Sequence, residues 1–394
     1  MLTFEEARQR LLDSAQAIGR TESLDLLAAR GRVLAQPVEA GLDVPPMDNS
    51  AMDGYALRLA DWAPDRSLPV SQRVPAGCAP APLAAGTAAR IFTGAPIPPG
   101  ADVVVMQEQC EVDGAGVRIT VAPRAGQNIR RAGSDIARGS LVCAAGERLD
   151  APRLGLLASL GLPRVHGVAP LRVAVFFTGD ELVEPGAPLG AGAIYNSNRY
   201  WLRAMLEAEG CAVTDLGVVR DDLAATRDAL RQAAGQADLI MTCGGVSVGE
   251  EDHVKAAVQA EGALDTWQIA IKPGKPFAFG RVAQTPFIGL PGNPVSGLVT
   301  FVILVRAYLQ RRLGMAVAQP VPFSLRADFD WLRPDPKRRE FLRVRRNVDG
   351  GVELFPNQAS GVLTSCAWAD GLVDVPPGRA IHAGDSVLYL PFEG

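Results

Sequence analysis

Hydrophobic positions change their period several times along the chain, and each change marks an expected element. Thr3 followed by Glu6 makes a capping box ahead of an apolar-periodic run through Leu11 and Leu12, so the chain opens with a helix. A second short helix is expected before Gly31. From Asp43 onward Pro45, Pro46, Pro75, Pro80, Pro82, Pro96, Pro98 and Pro99 punctuate short valine-rich runs, the texture of an irregular β-rich segment. Helical texture returns over 137–161, where Asp150 is placed as an N-cap and Pro152 falls in the first helical turn.

From Leu171 strands and helices alternate. LRVAVFF has buried-strand length, Asn196 to Asn198 can cap RYWLRAMLEAEG, and CAVTDLGVV, ADLIMTC and TWQIAIK read as further strands. Helical stretches near 222–236 and 252–261 separate them. Such alternation predicts a mostly parallel sheet covered on both faces, with ligands outside the carboxyl ends of its strands. After a proline-rich break at 319–322, alternating strands, an Asp349-Gly350 hairpin signal and a final SVLYL strand predict a small all-β unit. The expected organisation is an α/β multidomain chain. Residues 1–42 with 137–168 are expected to form a helical dimerisation region, 43–136 a β-rich domain, 169–318 the three-layer α/β domain and 319–394 the C-terminal β domain.

Composition narrows the function classes. The 394 residues are 48% hydrophobic and 21% charged with a formal net charge of −4, which describes a soluble globular protein without the broad positive charge of a nucleic-acid binder. The longest apolar stretch, Val295 to Val305, is interrupted by Ser296 and Thr300 and stopped by Arg306, short of a membrane span. MLTFEEARQR lacks the basic and apolar regions of a signal peptide, so a cytoplasmic location is expected. Six scattered cysteines and three histidines offer no zinc or disulfide framework, and most of the cysteines are read as small buried hydrophobes.

The chemistry concentrates at the expected strand ends. TCGGVSVGEEDHV (242–254) leaves a strand through Gly244 and Gly245, carries Ser247 and Gly249, and enters a helix near Asp252. Glycines admit an anion to backbone N–H groups and a helix N-terminus adds partial positive charge, so phosphate or a similar oxyanion is the natural guest. Lacking GK[ST] and GxGxxG, the segment also reads as an ordinary glycine-rich βα turn. Other strand ends hold Thr178-Gly179-Asp180-Glu181, Asp221-Asp222 and Lys272-Pro273-Gly274-Lys275-Pro276. Carboxylates beside a phosphate pocket imply a divalent cation, Mg²⁺, while the two lysines counter anionic charge. In GLPGNPVSG (289–297) Asn293 is the expected N-cap and Pro294 the first helical residue, a structural cap that could also offer N–H groups to a second phosphate or a pterin edge.

Taken in order, DVPPMDNSAMDGYA (43–56), RIFTGAPIPPGADVVV (90–105), Arg131–Gly133–Asp135, FFTGDEL (176–182), RDD (220–222), CGGVSVGEED (243–252), IKPGKPFAFG (271–280) and GLPGNPVS (289–296) resemble the MoeA-type molybdopterin molybdenumtransferases over essentially the whole chain. The resemblance implies that adenylylated molybdopterin is opened in the presence of Mg²⁺ and molybdate, releasing AMP and forming the molybdenum cofactor. It implies Glu181, Asp221 and Asp252 at the metal and substrate site, with Asp53, Thr93 and Asp135 as further catalytic residues. Substrate contacts are expected from Thr178, Gly244, Gly245, Ser247, Gly249, Lys272, Lys275, Pro291, Asn293 and Pro294, and from Arg343 and Ser365. In this family the N-terminal half reaches the site of the other subunit in an elongated homodimer. Molybdopterin adenylyltransferase and molybdoenzyme maturation proteins are the further expected partners, with no nucleic acid or membrane.

One departure is Gln268, where many relatives carry lysine; Arg343 or another basic residue of 338–346 is the expected compensation, the cluster otherwise reading as a solvated hairpin face. Two rival functions remain, adenylyl transfer to molybdopterin and a gephyrin-like scaffold. The MDNSAMDG and RIFTGAP segments argue against the first and the retained acids against the second.

Overall fold

The computed structural model describes residues 1–245, 253–315 and 321–392. Helix α1 (Phe4–Asp13) starts on the expected capping box, with the Thr3 hydroxyl accepting from the Glu6 N–H and the Glu6 carboxylate accepting from the Thr3 N–H. The short helix expected before Gly31 is instead a strand, Thr21–Asp25, paired antiparallel with Arg164–Val168 and followed by a single 3₁₀ turn at Leu26–Ala28. Leu24 packs against a small core of Leu26, Leu34, Leu149, Leu157 and Val165, so long-range pairing overrides the local helical pattern. Helix α2 (Ala151–Ser159) begins as expected, its N-cap Asp150 accepting from the Arg153 N–H, but Leu141–Cys143 before it is a strand paired with Val38–Glu39.

The proline-punctuated segment forms a six-stranded sheet from β1 (Gly54–Leu57), β2 (Ser67–Val74), β3 (Ala88–Ile91), β4 (Val103–Met106), β5 (Cys110–Asp113) and β6 (Gly116–Ile119), in the order β4-β1-β3-β2-β6-β5. Cores lie on both of its faces, one around Tyr55, Leu57, Val103 and Val105, the other around Ala56, Ala89, Ile91 and Val104. The odd and even positions of β1 and β4 thus each bury a set.

The α/β unit contains β7 (Arg172–Thr178), α3 (Ser197–Ala208), β8 (Ala212–Val219), α4 (Leu223–Ala234), β9 (Leu239–Cys243), α5 (His253–Glu261), β10 (Gly262–Gln268), β11 (Pro276–Val282) and β12 (Thr285–Leu290). The sheet order is β8-β7-β9-β12-β11-β10; the first four strands are parallel and the last two antiparallel. Strand β7 explains the two-sided cover. Val173, Val175 and Phe177 enter a core with α1, α3 and the 295–309 helical segment, whereas Ala174 and Phe176 enter a second core with α4 and α5.

The stretch TWQIAIK is not one strand. Its first residues end antiparallel β10, and Ile271–Lys272 crosses to pair with β13 of the C-terminal unit. That unit comprises β13 (Arg339–Arg346), preceded by Phe323–Ala327, then β14 (Gly351–Leu354), β15 (Gly371–Val375) and β16 (Ser386–Pro391). β13 pairs with both β14 and β15, Phe323–Ala327 pairs with both β14 and β16, and β15 with β16, so the sheet closes into a barrel. The expected hairpin joins β13 and β14, with Arg345 opposite Glu353.

Candidate active site

The carboxyl ends of β7, β9 and β12 lie side by side, Phe177 opposite Cys243 and Cys243 opposite Leu290. Thr178, Gly244-Gly245 and Pro291-Gly292 therefore emerge at one edge of the sheet. Gly245 has φ +64°, and a Cβ there would lie 2.3 Å from Val254 Cγ2 and 3.1 Å from the Thr178 hydroxyl, so a larger residue would push α5 away from the strand ends. The Gly244 N–H donates to the Leu290 carbonyl, while the Gly245 N–H has no acceptor among the described residues. Thr178 is buried. Ser247, Gly249 and Asp252 lie outside the described residues.

Gly179 has φ +143°, and the Glu181 carboxylate folds back over it, with Oε2 2.5 Å from where a Cβ would be. A side chain at 179 would displace that carboxylate. In the adjacent Asp221-Asp222 pair the roles separate: Asp222 accepts from the Ala225 N–H and caps α4, which leaves Asp221, half-buried after β8, outside the cap. No group of three His, Cys, Asp or Glu residues suited to a metal ion occurs among the described residues. The acids that do stand at strand ends, Glu181 and Asp221, present hard carboxylate oxygens only.

Lys272 is not an open counter-charge. Its Nζ donates to Oε1 of Glu340 at 2.8 Å, and the carboxylate of Glu340, buried in the barrel, also accepts from Trp331 Nε1 and the Asp335 N–H. Lys275 is exposed with no ion pair among the described residues. Asn293 occupies the N-cap position before Pro294, but its side chain makes no cap bond; its Nδ2 donates instead to the Ser360 hydroxyl at 3.3 Å. The Val295 N–H is also engaged, by the Ser360 carbonyl, which narrows the room for a second phosphate there. The Pro291–Asn293 turn is held from outside by Asn198, whose Nδ2 donates to the Gly292 carbonyl at 2.7 Å while its oxygen accepts from Trp201 Nε1. Sequence reasoning saw Asn198 only as a cap; the capping residue is Asn196, which accepts from the Arg199 N–H.

Arg343 and Ser365 are adjacent and buried. Arg343 Nε donates to the Ser365 hydroxyl at 3.2 Å, and among the described residues its other guanidinium nitrogens reach only the carbonyls of Phe341 and Ala359. With no carboxylate partner among the described residues, burial pushes the guanidinium pKa down to about 10, still cationic at neutral pH. The solvated reading of the 338–346 cluster fails at this residue, although Arg345 and Arg346 are exposed and paired with Glu353 and Asp370. The 358–365 loop that covers Arg343 is the loop that engages Asn293 and Val295, so the barrel and the end of β12 share one boundary.

In the N-terminal sheet Asp53 Oδ1 accepts from both the Thr93 N–H (2.7 Å) and the Thr93 hydroxyl (2.9 Å). These bonds, with the nearby Arg90 charge, hold the Asp53 pKa below the ordinary carboxylate value. Asp135 is exposed, its own N–H bonded to the Val44 carbonyl. Among the described residues no hydrogen bond or ion pair within the chain joins Asp53, Thr93 or Asp135 to Glu181, Lys272 or Arg343.

The chain matches family models for the MoeA N-terminal region (domain I and II) over residues 2–161, a "Probable molybdopterin binding domain" over 174–311 and the MoeA C-terminal region (domain IV) over 326–392. It is 45% identical to the molybdopterin molybdenumtransferase of Haemophilus influenzae, with 100% of this chain and 99% of that one covered. The enzyme of the same name from Nostoc sp. is 37% identical, with 96% and 90% covered. The solved moeA protein of Pyrococcus horikoshii OT3 superposes with a TM-score of 0.87 at 28% identity, over 99% of this chain and 100% of that one. Three regions matched in sequence order and a full-length relative at 45% identity make the chain a member of the MoeA family of molybdopterin molybdenumtransferases.

Proposed function

We propose that the protein takes adenylylated molybdopterin and molybdate, opens the phosphoanhydride with release of AMP, and delivers molybdenum to the pterin dithiolene. The observation that carries this reading is the meeting of three strand ends, where Thr178, the Gly244-Gly245 turn and Pro291 emerge at one edge of the sheet and Glu181 folds back over Gly179 beside them. The Gly245 N–H, without an acceptor among the described residues, is oriented by a turn only glycine fits and suits a phosphate oxygen. Glu181 and Asp221 would hold Mg²⁺ together with substrate oxygens, a donor set of one or two carboxylates that matches this ion's habit of keeping phosphate and water ligands. When bound, the ion neutralises charge developing on the phosphoanhydride.

Arg343 contributes a different kind of site. A buried cation that among the described residues is hydrogen-bonded only to neutral oxygens has an unmet preference for an anion, and the Ser365 hydroxyl beside it accepts from Arg343 Nε while donating to the Val362 carbonyl. Molybdate, a dianion, has the matching charge and would feel Arg343 through the covering 358–365 segment rather than by direct contact, while the exposed Lys275 adds a positive group without the constraint that Glu340 places on Lys272. Asp53, Thr93 and Asp135 are supplied to this site by a second copy of the chain, so the working unit is a homodimer. The reading sets the enzyme in the cytoplasm, after a molybdopterin adenylyltransferase and before the proteins that mature molybdoenzymes; no helix among the described residues is long and apolar enough to cross a membrane.

The test is turnover with purified components. Adenylylated molybdopterin, Mg²⁺ and molybdate should yield AMP and active molybdenum cofactor. Consumption of ATP with free molybdopterin, and no AMP release from the adenylylated form, would replace this reading by adenylyl transfer.

A further inference from the structure

The end of the N-terminal sheet that carries Asp53 also carries two arginines for which the reaction so far has no role. Strands β2 and β3 are parallel with Arg73 opposite Arg90, and Phe92 follows β3 directly. The guanidinium carbon of Arg73 lies 4.5 Å from the centroid of the Phe92 ring and that of Arg90 lies 4.7 Å from the same centroid, with Arg90 also 5.1 Å from the ring of Tyr55. Both cations therefore share one aromatic spacer and sit within about one Debye length of each other at physiological salt.

Their other contacts are neutral. Arg90 donates to the Gly54 carbonyl at 3.0 Å and to Gln107 Oε1 at 2.5 Å. Arg73 is exposed and, among the described residues, its side chain has no hydrogen bond or ion pair. Among the described residues neither is within ion-pair distance of a carboxylate, unlike Arg58, Arg118 and Arg131 of the same region, which meet Asp61, Glu111 and Asp48. The neighbouring acids are otherwise engaged: Asp53 Oδ1 with Thr93, and Glu108 with the Gln107 amide. The nearby Asp53 charge relieves the repulsion between two cations at one ring only in part, without an ion pair, and a dianion would relieve it further.

We propose that Arg73 and Arg90, spaced by Phe92 beside the Asp53–Thr93 pair, form a nucleotide subsite that binds the phosphate of the adenylyl group and retains it as AMP departs. Guanidinium groups match phosphate bidentately and stack on planar rings, so the outer face of Arg73 can also carry the base. Arg90 is fixed by Gly54 and Gln107 and acts as the rigid member; Arg73 is the mobile one that closes on the ligand. The inference rests on the proposed reaction for the identity of the nucleotide, while the cation pair itself does not depend on it.

The test is calorimetric titration of the full-length protein with AMP, adenosine and inorganic phosphate. Arg73→Gln removes one charge at a position with no hydrogen bond to lose, and should weaken AMP about tenfold, as loss of a charge-assisted phosphate contact does. Adenosine should change far less, and inorganic phosphate should compete with AMP for wild type more strongly than for the variant. Phe92→Leu, which keeps both charges but removes the spacer, should give an intermediate loss. Unchanged AMP affinity in Arg73→Gln, or no AMP binding by wild type, overturns the subsite. If wild type releases AMP from adenylylated molybdopterin while Arg73→Gln binds AMP normally, the subsite fails and the reaction stands. If AMP affinity depends on Arg73 but no AMP is ever released from the adenylylated pterin, the subsite stands and the reaction fails.

Discussion

Lys272 Nζ meets Oε1 of Glu340 at 2.8 Å, and the bond ties the loop after β10 to the barrel. Glu340 is 1% exposed and accepts three donors from three elements, Lys272, Trp331 and the Asp335 backbone. Glu340→Ala strands all three and should cost about 2–4 kcal/mol, the penalty for unpaired buried donors discounted for the half-exposed lysine. Glu340→Gln keeps an acceptor and should cost less. Urea unfolding of both variants checks the order; equal stability of wild type and Glu340→Ala would show that the contact is not holding the barrel.

A second buried carboxylate fastens the N-terminal region to the α/β unit. Glu209 at the end of α3 accepts from Arg306 Nε at 2.7 Å, Arg148 Nη2 at 3.0 Å and Gln310 Nε2 at 3.3 Å. Arg148 Nε and Arg306 Nη1 already lack partners among the described residues, so the network has no spare acceptor. Glu209→Ala would leave Arg306 buried and uncompensated, and about 3–5 kcal/mol of stability should be lost. Replacing Glu209 and Arg306 together by Leu and Met should recover part of it, and the double-variant melting curve decides whether the loss is a broken pair or a cavity.

Acid stability should depend on Asp238. Burial raises its pKa, but hydrogen bonds from the side chains of Arg20 and Arg172 and from the Arg172 N–H outweigh that and hold the carboxyl far below the ordinary range. A depressed folded-state pKa stabilises above the unfolded value, about 3.9, and the contribution drains away as pH falls below it toward the folded pKa. Asp238→Asn should lower the melting temperature at pH 7 and narrow its gap to wild type steadily below about pH 4. A constant gap between pH 7 and pH 2 would exclude this linkage.

The parts of the fold written in local chemistry were legible in the sequence: the Thr3 capping box, the Asp150 and Asn196 caps, and β7 with apolar residues on both faces. What stayed hidden depends on residues far apart. Nothing near Lys272 announces Glu340, 68 residues away. Arg343 shows the limit of the period-two rule. It shares a side of β13 with Phe341, away from the barrel interior that takes Leu342 and Val344, and alternation therefore reads it as solvated. The 358–365 loop covers that side, and only the tertiary structure reveals it. The β10 edge was misread for the same reason, since Ile271–Lys272 is claimed by a sheet that forms 68 residues later.

Asp53 and Glu181 give the direct probe of chemistry at the site. Asp53 is exposed and its bonds to Thr93 are local, so Asp53→Asn should leave the melting temperature within a degree or two while AMP release falls at least a hundredfold, as expected for loss of an organising carboxylate. Glu181→Gln should behave likewise and should raise the Mg²⁺ concentration needed for half-maximal turnover. Wild-type turnover in both would remove these residues from the site.

Mixing the two variants asks where the site lies. If Asp53 of one chain serves the Glu181 of another, a dimer of one Asp53→Asn and one Glu181→Gln chain contains one site with both lesions and one with neither. Random re-association of equal amounts gives half mixed dimers, each with one intact site, so about a quarter of wild-type AMP release should return. A site built within one chain leaves every protomer with one lesion and no recovery. Co-expression with two affinity tags isolates the mixed dimer and raises the expected value to about half, which separates a true shared site from incomplete mixing.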